Sequence, residues 1–242
     1  MAKSSYWSAT RAPRYSLTFA LPLLLAYEIL ARLISGDSGI RNGADVLLKS
    51  LFLLLGGRHG LTLFAFVIFG TGLFLVARDW RKSGPPTLRY FLGMTAESVV
   101  YAVLFGGVTS ALTALLLNGP SVLMVGRGTA LSLPTQLVVS LGAGIYEELL
   151  FRVILVSALA RLAVGGFGWK PWAGGVFATV LGALVFSAFH YIGPLGDTLQ
   201  LGSFVFRTVA GVLLSGLFLL RGFGVAAWTH ALYDVFLSLQ GL

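Results

Sequence analysis

Long apolar runs separated by short charged clusters constrain this chain more than any other feature. A helix of about 20 apolar residues crosses the ~30 Å hydrocarbon core of a bilayer, and it satisfies its own backbone polar groups there. The pattern predicts an all-α fold, a polytopic membrane helix bundle of about seven transmembrane helices with an error of one. A shorter run, 44–56, carries Asp45 and Lys49 and predicts a short interfacial or re-entrant helix. The seven long runs lie near 16–35, 61–78, 90–118, 134–160, 171–190, 199–220 and 223–240.

Composition excludes the main soluble alternatives. Of the 242 residues, 57% are hydrophobic and 11% are charged, whereas an average soluble domain is about 25% charged. The 17 basic residues lie in short clusters between apolar runs, which is typical of membrane-protein loops and not of a nucleic-acid-binding surface. Cysteine is absent, which excludes a disulfide framework and a cysteine nucleophile.

The basic residues also predict how the chain is oriented. Most of them fall in the N-terminal tail, in the loop near 78–89 and in the loop near 161–170. By the positive-inside rule, these segments and the N-terminus are expected to be cytoplasmic. The first apolar run is too long for a signal peptide and contains Glu28 and Arg32, so we expect a retained first helix. The Ala-, Leu-, Gly- and Arg-rich usage favours a bacterial inner (cytoplasmic) membrane.

Ionisable residues inside the predicted spans are the candidates for function, because each costs about 2.5–3.5 kcal/mol at the bilayer centre. Glu28 and Arg32 are four residues apart and predict an ion pair within one helix. Glu97 has no partner on its own helix, so we expect it to bond to another helix. Six others form a pattern in the C-terminal half: Glu147, Glu148, Arg152, His190, His230 and Asp234.

Two adjacent carboxylates lie in the middle of the fourth long span. Glu148 and Arg152 are i and i+4, so Arg152 can neutralise Glu148. Glu147 points about 100° away and has no partner on the helix. The small residues one turn before it, Ala143 and Gly144, are expected to leave space for a water or a peptide backbone. A buried carboxylate with this surrounding is a candidate general base.

Two of the three histidines lie in the later spans. His190 ends the fifth long span, one turn after Phe186. On the last span His230 and Asp234 are i and i+4, so Asp234 can orient the imidazole, or both can donate to an oxyanion. A glutamate, two histidines and an aspartate from three helices would supply a base for water and donors for an oxyanion.

His190, Glu147 and His230 would lie at different depths if their helices were straight, upright and had the predicted ends. Counted at ~1.5 Å per residue from the cytoplasmic ends, His190, Glu147 and His230 lie at about 30, 20 and 12 Å. Tilt, helix breaks or different helix ends are therefore required for these side chains to meet. The prediction of a shared site fails if His190 is more than about 10 Å from Glu147.

Taken together, the three motifs resemble a known family. EExxxR, FxxxH and HxxxD/N, in this order on successive membrane helices, resemble the CPBP family of intramembrane proteases. The family includes type II CAAX prenyl endopeptidases and bacteriocin-immunity and abortive-infection proteins. The resemblance predicts a CPBP-like catalytic membrane domain at 134–242. It leaves an N-terminal transmembrane region, 1–133, in which no motif is recognised.

The resemblance implies a role for each residue of the first two motifs. Glu147 corresponds to the glutamate that activates the attacking water, and His190 to the histidine that assists it. Glu148 and Arg152 correspond to a supporting pair, in agreement with their i, i+4 spacing.

The last motif corresponds to the pair that holds the oxyanion. Many members have asparagine where this chain has Asp234, and an ionised aspartate cannot donate a hydrogen bond. His230 is therefore expected to carry most of that role. Members are often labelled metalloproteases, and Glu147, His190 and His230 would supply the three protein ligands of a zinc site. The HExxH motif of zinc proteases is absent. The resemblance implies a metal-free, glutamate-type site without a cofactor, and zinc is the alternative.

The resemblance implies an intramembrane protease that hydrolyses a peptide bond in one step. Its expected partners are membrane lipid and a membrane-associated or exported peptide or protein, with no nucleic acid. The alternative is a non-catalytic membrane scaffold or immunity-type protein of the same family. A transporter would show paired repeats with broken helices, which are not evident in this sequence.

Overall fold

The structure is a computed structural model that describes residues 5–35, 39–119, 131–193 and 196–240. All the regular elements within these ranges are helices. We number the main ones α1 Tyr6–Thr10, α2 Pro13–Ser35, α3 Gly43–Gly56, α4 Gly60–Ser83, α5 Leu88–Leu117, α6 Leu133–Gly166, α7 Pro171–Phe189, α8 Leu201–Arg221 and α9 Phe223–Gln240.

Six segments in the described residues are long and apolar enough to cross a membrane. The 18-residue α9, which carries His230 and Asp234, packs among them against α2, α5 and α6. The prediction of an all-α polytopic bundle of about seven helices is confirmed. The six segments are Pro13–Ile34, Gly43–Ser83, Leu88–Leu117, Leu133–Gly166, Pro171–Phe189 and Leu201–Arg221.

The short run at 44–56 forms its own helix, α3, which packs against α4. The turn between them is tight at Gly60, where an added Cβ would lie 2.4 Å from the carbonyl oxygen of Phe52. Only glycine fits at this approach. Asp45 on α3 is completely buried, so the polar face of this helix is turned into the bundle.

Helix α6 is wound differently in the part that carries its two carboxylates. Residues Ala143–Val156 are wound as a π-helix, between α-helical turns on both sides. Such i→i+5 winding is rare and frequently marks a functional site. Glu147 and Glu148 both lie within it and are both buried, with 6% and 0% of their surface exposed.

The length of α6 explains how Glu147 and His190 come to a similar depth. The helix continues to Gly166 instead of ending near 160, and α7 begins at Pro171. Glu147 lies 19 residues before the end of α6, and His190 lies 19 residues after the start of α7. Since the two helices are joined by a short loop and run antiparallel, the two residues reach a similar level.

Gly144 has a different role from the one expected. An added Cβ there would lie 2.4 Å from the carbonyl oxygen of Ala227 and 2.6 Å from the Cβ of Ala231. The prediction that the small residues before Glu147 leave open space was wrong at this position. The backbone of α9 fills that space, so Gly144 sets the distance between α6 and α9.

We expect Gly144→Ala to destabilise the bundle by about 1–3 kcal/mol, because the methyl group overlaps backbone atoms that cannot rotate away. The measurement is the thermal unfolding midpoint of the purified chain in detergent. Gly107→Ala in α5 is the matched control, since an added Cβ there has nothing within 4 Å. Equal midpoints for Gly144→Ala and Gly107→Ala would contradict the close contact of α6 with α9.

Candidate active site

Glu147 lies where α6, α7, α9 and the segment before α3 meet. Its Oε1 accepts a hydrogen bond of 2.8 Å from Nδ2 of Asn42. Its Oε2 lies 3.9 Å from Nε2 of His190 and 4.0 Å from Nε2 of His230. Among the described residues Oε2 has no hydrogen-bond partner, although it is buried. The free oxygen of one carboxylate therefore faces two imidazole rings.

The structure thus brings the residues of all three motifs together. The separation of 3.9 Å between His190 and Glu147 is well inside the 10 Å that the sequence argument required. His190 follows the last residue of α7 and packs edge-on against Phe186, with ring centroids 4.8 Å apart. The side chain one turn before His190 therefore packs on its imidazole ring.

Glu148 pairs with Arg152, as the i, i+4 spacing predicted. Its Oε1 lies 3.0 Å from a guanidinium nitrogen of Arg152. The Arg152 guanidinium also lies over the ring of Phe186, 4.4 Å from its centroid. Both charged residues are almost fully buried. A pair of opposite charges at this depth is far cheaper than either charge alone.

The hydrogen bonds of the two histidines fix how each ring is oriented. Nδ1 of His190 lies 2.9 Å from the carbonyl oxygen of Phe186, which can only accept. Nδ1 of His230 lies 2.8 Å from Oε1 of Glu148. Both Nδ1 atoms therefore donate, and both Nε2 atoms are left for the side facing Glu147. An Nε2 in this position accepts a proton when its ring is neutral and donates one when its ring is charged.

Asp234 lies on the more open side of the site. Its Oδ2 is 3.5 Å from Nε2 of His230, and 28% of its side chain is exposed. It also lines an open pocket of about 240 Å³ between α6 and α9, together with the polar residues Gln136, Ser140 and Ser238. Asp234 thus connects this pocket with the buried ring of His230.

Glu147, His190, His230 and Asp234 all lie in a segment that is similar to a known family. Residues 129–236 match the family model of the type II CAAX prenyl endopeptidases, described as Rce1-like. Over these residues the chain is similar to the CPBP family. Searches among curated proteins and among solved structures gave no match. The match supports the resemblance drawn from the three motifs, and the family that it names is one of CAAX prenyl endopeptidases.

Zinc is the alternative that the sequence leaves open for this site. Zinc needs three protein ligands at about 2.0–2.2 Å from one point. In the part of the chain that the structure describes, no group of three or more His, Cys, Asp or Glu side chains is arranged to hold a metal ion. Nδ1 of His230 is hydrogen-bonded to Glu148, and its Nε2 lies between Glu147 and Asp234.

Asn42 contacts Glu147, and the sequence did not predict this contact. Asn42 lies outside residues 129–236, immediately before α3, and caps that helix by accepting a hydrogen bond from the backbone N–H of Ala44 at 2.9 Å. An asparagine before an apolar helical run is a recognisable start signal. Nothing in the sequence, however, links it to Glu147, which is 105 positions away.

The predicted pair of Glu28 with Arg32 was wrong. Glu28 accepts hydrogen bonds from Lys49 at 2.7 Å and from Arg41 at 3.3 Å, and also from the hydroxyl of Tyr146. Arg32 lies on an exposed face of α2. The carboxylate of Glu28 faces α3 and the segment before it, and its cationic partners come from there.

Asp45 extends this group of charges toward the site. It accepts hydrogen bonds from the hydroxyl of Tyr27 at 2.8 Å and from Arg41 at 2.9 Å, and it lies 2.6 Å from Nζ of Lys49. Burial alone would lower the pKa of Arg41, but its bond to Asp45 and the nearby carboxylates raise that pKa above its ordinary value. Arg41 therefore remains charged and holds the segment before α3 in place.

Glu97 lies away from the site. It bonds to Arg221 of α8 through two contacts of 2.8 and 3.1 Å. The bond between helices that the sequence predicted for Glu97 is therefore confirmed.

Proposed function

We propose that this chain is a glutamate-type intramembrane endopeptidase that hydrolyses a peptide bond without a metal. The observation that carries the proposal is the environment of Glu147. Its buried Oε2, without a hydrogen-bond partner among the described residues, faces Nε2 of His190 and of His230 at 3.9 and 4.0 Å. These separations are too long for direct hydrogen bonds and suit a third oxygen atom held between the three groups.

In the first step Glu147 acts as the general base. A water bound between Oε2 of Glu147 and Nε2 of His190 loses its proton to the carboxylate. The water oxygen forms a bond to the carbonyl carbon of the substrate, and the electron pair of the carbonyl π bond moves to the carbonyl oxygen. General-base assistance of this kind contributes about 10²–10⁴-fold to the rate.

In the second step His230 stabilises the oxyanion. Glu148 accepts a hydrogen bond from Nδ1–H of His230, and Asp234 lies beside Nε2, so an imidazolium at this position would face a carboxylate on both sides. Its Nε2–H can then donate to the oxyanion. When the C–N bond breaks, the leaving nitrogen takes up the proton that Glu147 removed from water. Arg152 neutralises Glu148 and so keeps His230 in its orientation.

The substrate we propose is a peptide segment of a membrane-associated or exported protein. The family model names prenylated CAAX substrates, and these carry an apolar anchor that enters the bilayer. The distribution of basic residues supports an N-terminus in the cytoplasm, and the Ala-, Leu-, Gly- and Arg-rich usage supports a bacterial inner membrane. The pocket beside Asp234 offers a route by which a peptide reaches His230.

The test is peptide cleavage by the purified full chain in lipid vesicles. A farnesylated CAAX peptide and the same peptide without the prenyl group are the probes, and a zinc metalloprotease in the same vesicles is the control. We expect cleavage that persists in o-phenanthroline, while the control protease loses its activity. Loss of cleavage in the chelator and its return on adding zinc would contradict the glutamate-type mechanism.

A further inference from the structure

We propose that Asn42 is a positioning residue for Glu147, through which the N-terminal region takes part in catalysis. The proposal rests on the function proposed above, in which Glu147 is the base. Residue 42 lies outside the segment that matches the CPBP family model, 129–236. It is nevertheless in direct contact with the carboxylate at the centre of the site.

The contact determines which oxygen of Glu147 faces the histidines. Nδ2 of Asn42 donates to Oε1 at 2.8 Å, and Asn42 is only 3% exposed. With Oε1 held in this way, the carboxylate cannot turn freely, and Oε2 stays directed at the two imidazoles. A hydrogen bond to a buried carboxylate is also stronger than one between neutral groups.

The helix cap determines which end of the Asn42 amide faces Glu147. Its Oδ1 accepts from the backbone N–H of Ala44 at 2.9 Å. A backbone N–H can only donate, so the oxygen must lie on the Ala44 side and the NH₂ group on the Glu147 side. The cap of α3 and the contact with Glu147 thus depend on the same orientation of one amide.

The backbone of Asn42 is held in turn by the buried charges. Its N–H donates to the hydroxyl oxygen of Tyr27 at 3.2 Å. That hydroxyl donates to Asp45 at 2.8 Å, and Asp45 is also held by Arg41 and Lys49. Asp45, Arg41 and Lys49 take no part in the catalytic steps. They hold Asn42 in place, and Asn42 in turn orients the carboxylate of Glu147.

Gly142 of α6 leaves room for Asn42 to reach Glu147. An added Cβ at Gly142 would lie 2.7 Å from the Cβ of Asn42 and 2.5 Å from the ring of Tyr27. A side chain at position 142 would push the start of α3 away from α6. Glycine there allows Asn42 to come within reach of Glu147.

Asn42→Asp tests the proposal with little change of shape. Aspartate caps a helix as well as asparagine does, but it has no NH₂ group and places a second negative charge beside Glu147. In the vesicle assay we expect kcat to fall roughly tenfold to a hundredfold, with KM nearly unchanged. The acidic limb of the pH–kcat profile should move to higher pH, because a carboxylate that loses a donor and gains a like charge is protonated more readily.

Two further variants complete the experiment. Asn118→Asp is the matched control, since it makes the same change at the only other asparagine of the chain, which is exposed, and it should behave as wild type. Asn42→Ser keeps a capping oxygen but lacks the amide, so its kcat should also fall. It provides the same comparison if Asn42→Asp does not fold, as judged by the unfolding midpoint in detergent.

The outcomes separate this proposal from the proposed function. Wild-type kcat and an unmoved pH profile in Asn42→Asp, together with an inactive Glu147→Gln, would overturn the role of Asn42 and leave the mechanism intact. A raised KM with an unmoved pH profile would also overturn it, because that result indicates a structural cap alone. An active Glu147→Gln would overturn the proposed function itself.

Discussion

Glu147→Gln is expected to lower kcat by about 10²–10⁴-fold, the contribution of a general base. The amide has nearly the same shape as the carboxylate and can still bond to Asn42, so folding should be preserved. It cannot take a proton from water, and therefore the chemical step is lost while KM changes little. The measurement is the rate of peptide cleavage by equal amounts of purified wild type and variant in vesicles.

Asp79→Asn is the matched control for this change. It converts a carboxylate to an amide at a residue that pairs with Arg14 near the start of α2, away from Glu147. It should retain full activity. Cleavage by Glu147→Gln at the wild-type rate would exclude Glu147 as the base.

Arg152→Met is expected to destabilise the chain by about 3–5 kcal/mol, the usual cost of removing one member of a buried ion pair. The variant leaves Glu148 fully buried and without the guanidinium that pairs with it. It also removes the guanidinium that packs on Phe186. The measurement is the thermal unfolding midpoint in detergent, and a midpoint equal to that of wild type would contradict the importance of the pair.

The double variant Glu148→Gln with Arg152→Met separates stability from activity. No unpaired charge remains from the pair, so most of the lost stability should return. Activity should stay low, because Nδ1 of His230 no longer meets a carboxylate that orients the ring and favours its charged form. Recovery of both stability and activity would show that Glu148 and Arg152 matter only for folding.

The sequence was sufficient to predict the bundle and the motif residues of the site. The length of the apolar runs predicts the helices because the bilayer determines how long a spanning helix must be. The charges of α6 and α9 were recognisable because charged groups inside a membrane are costly and rare. The i, i+4 spacing of Glu148 with Arg152 predicted a contact that the structure contains.

Contacts between distant segments could not be predicted in this way. The partners of Glu28 lie on α3 and beside it, and no spacing rule connects them to α2. The donor to Glu147 is Asn42, which reads in the sequence as an ordinary helix cap. Gly144 looked like open space because a sequence does not show which helix packs against a small residue.

The most direct test of the central claim compares new protein termini in membranes of cells that express wild type or Glu147→Gln at equal levels. We predict a set of termini present only with wild type, which would establish proteolysis, identify substrates and assign Glu147 as essential. Identical termini in both samples, with both proteins folded, would contradict the enzymatic account. That result would favour a scaffold or immunity-type protein built on the same fold.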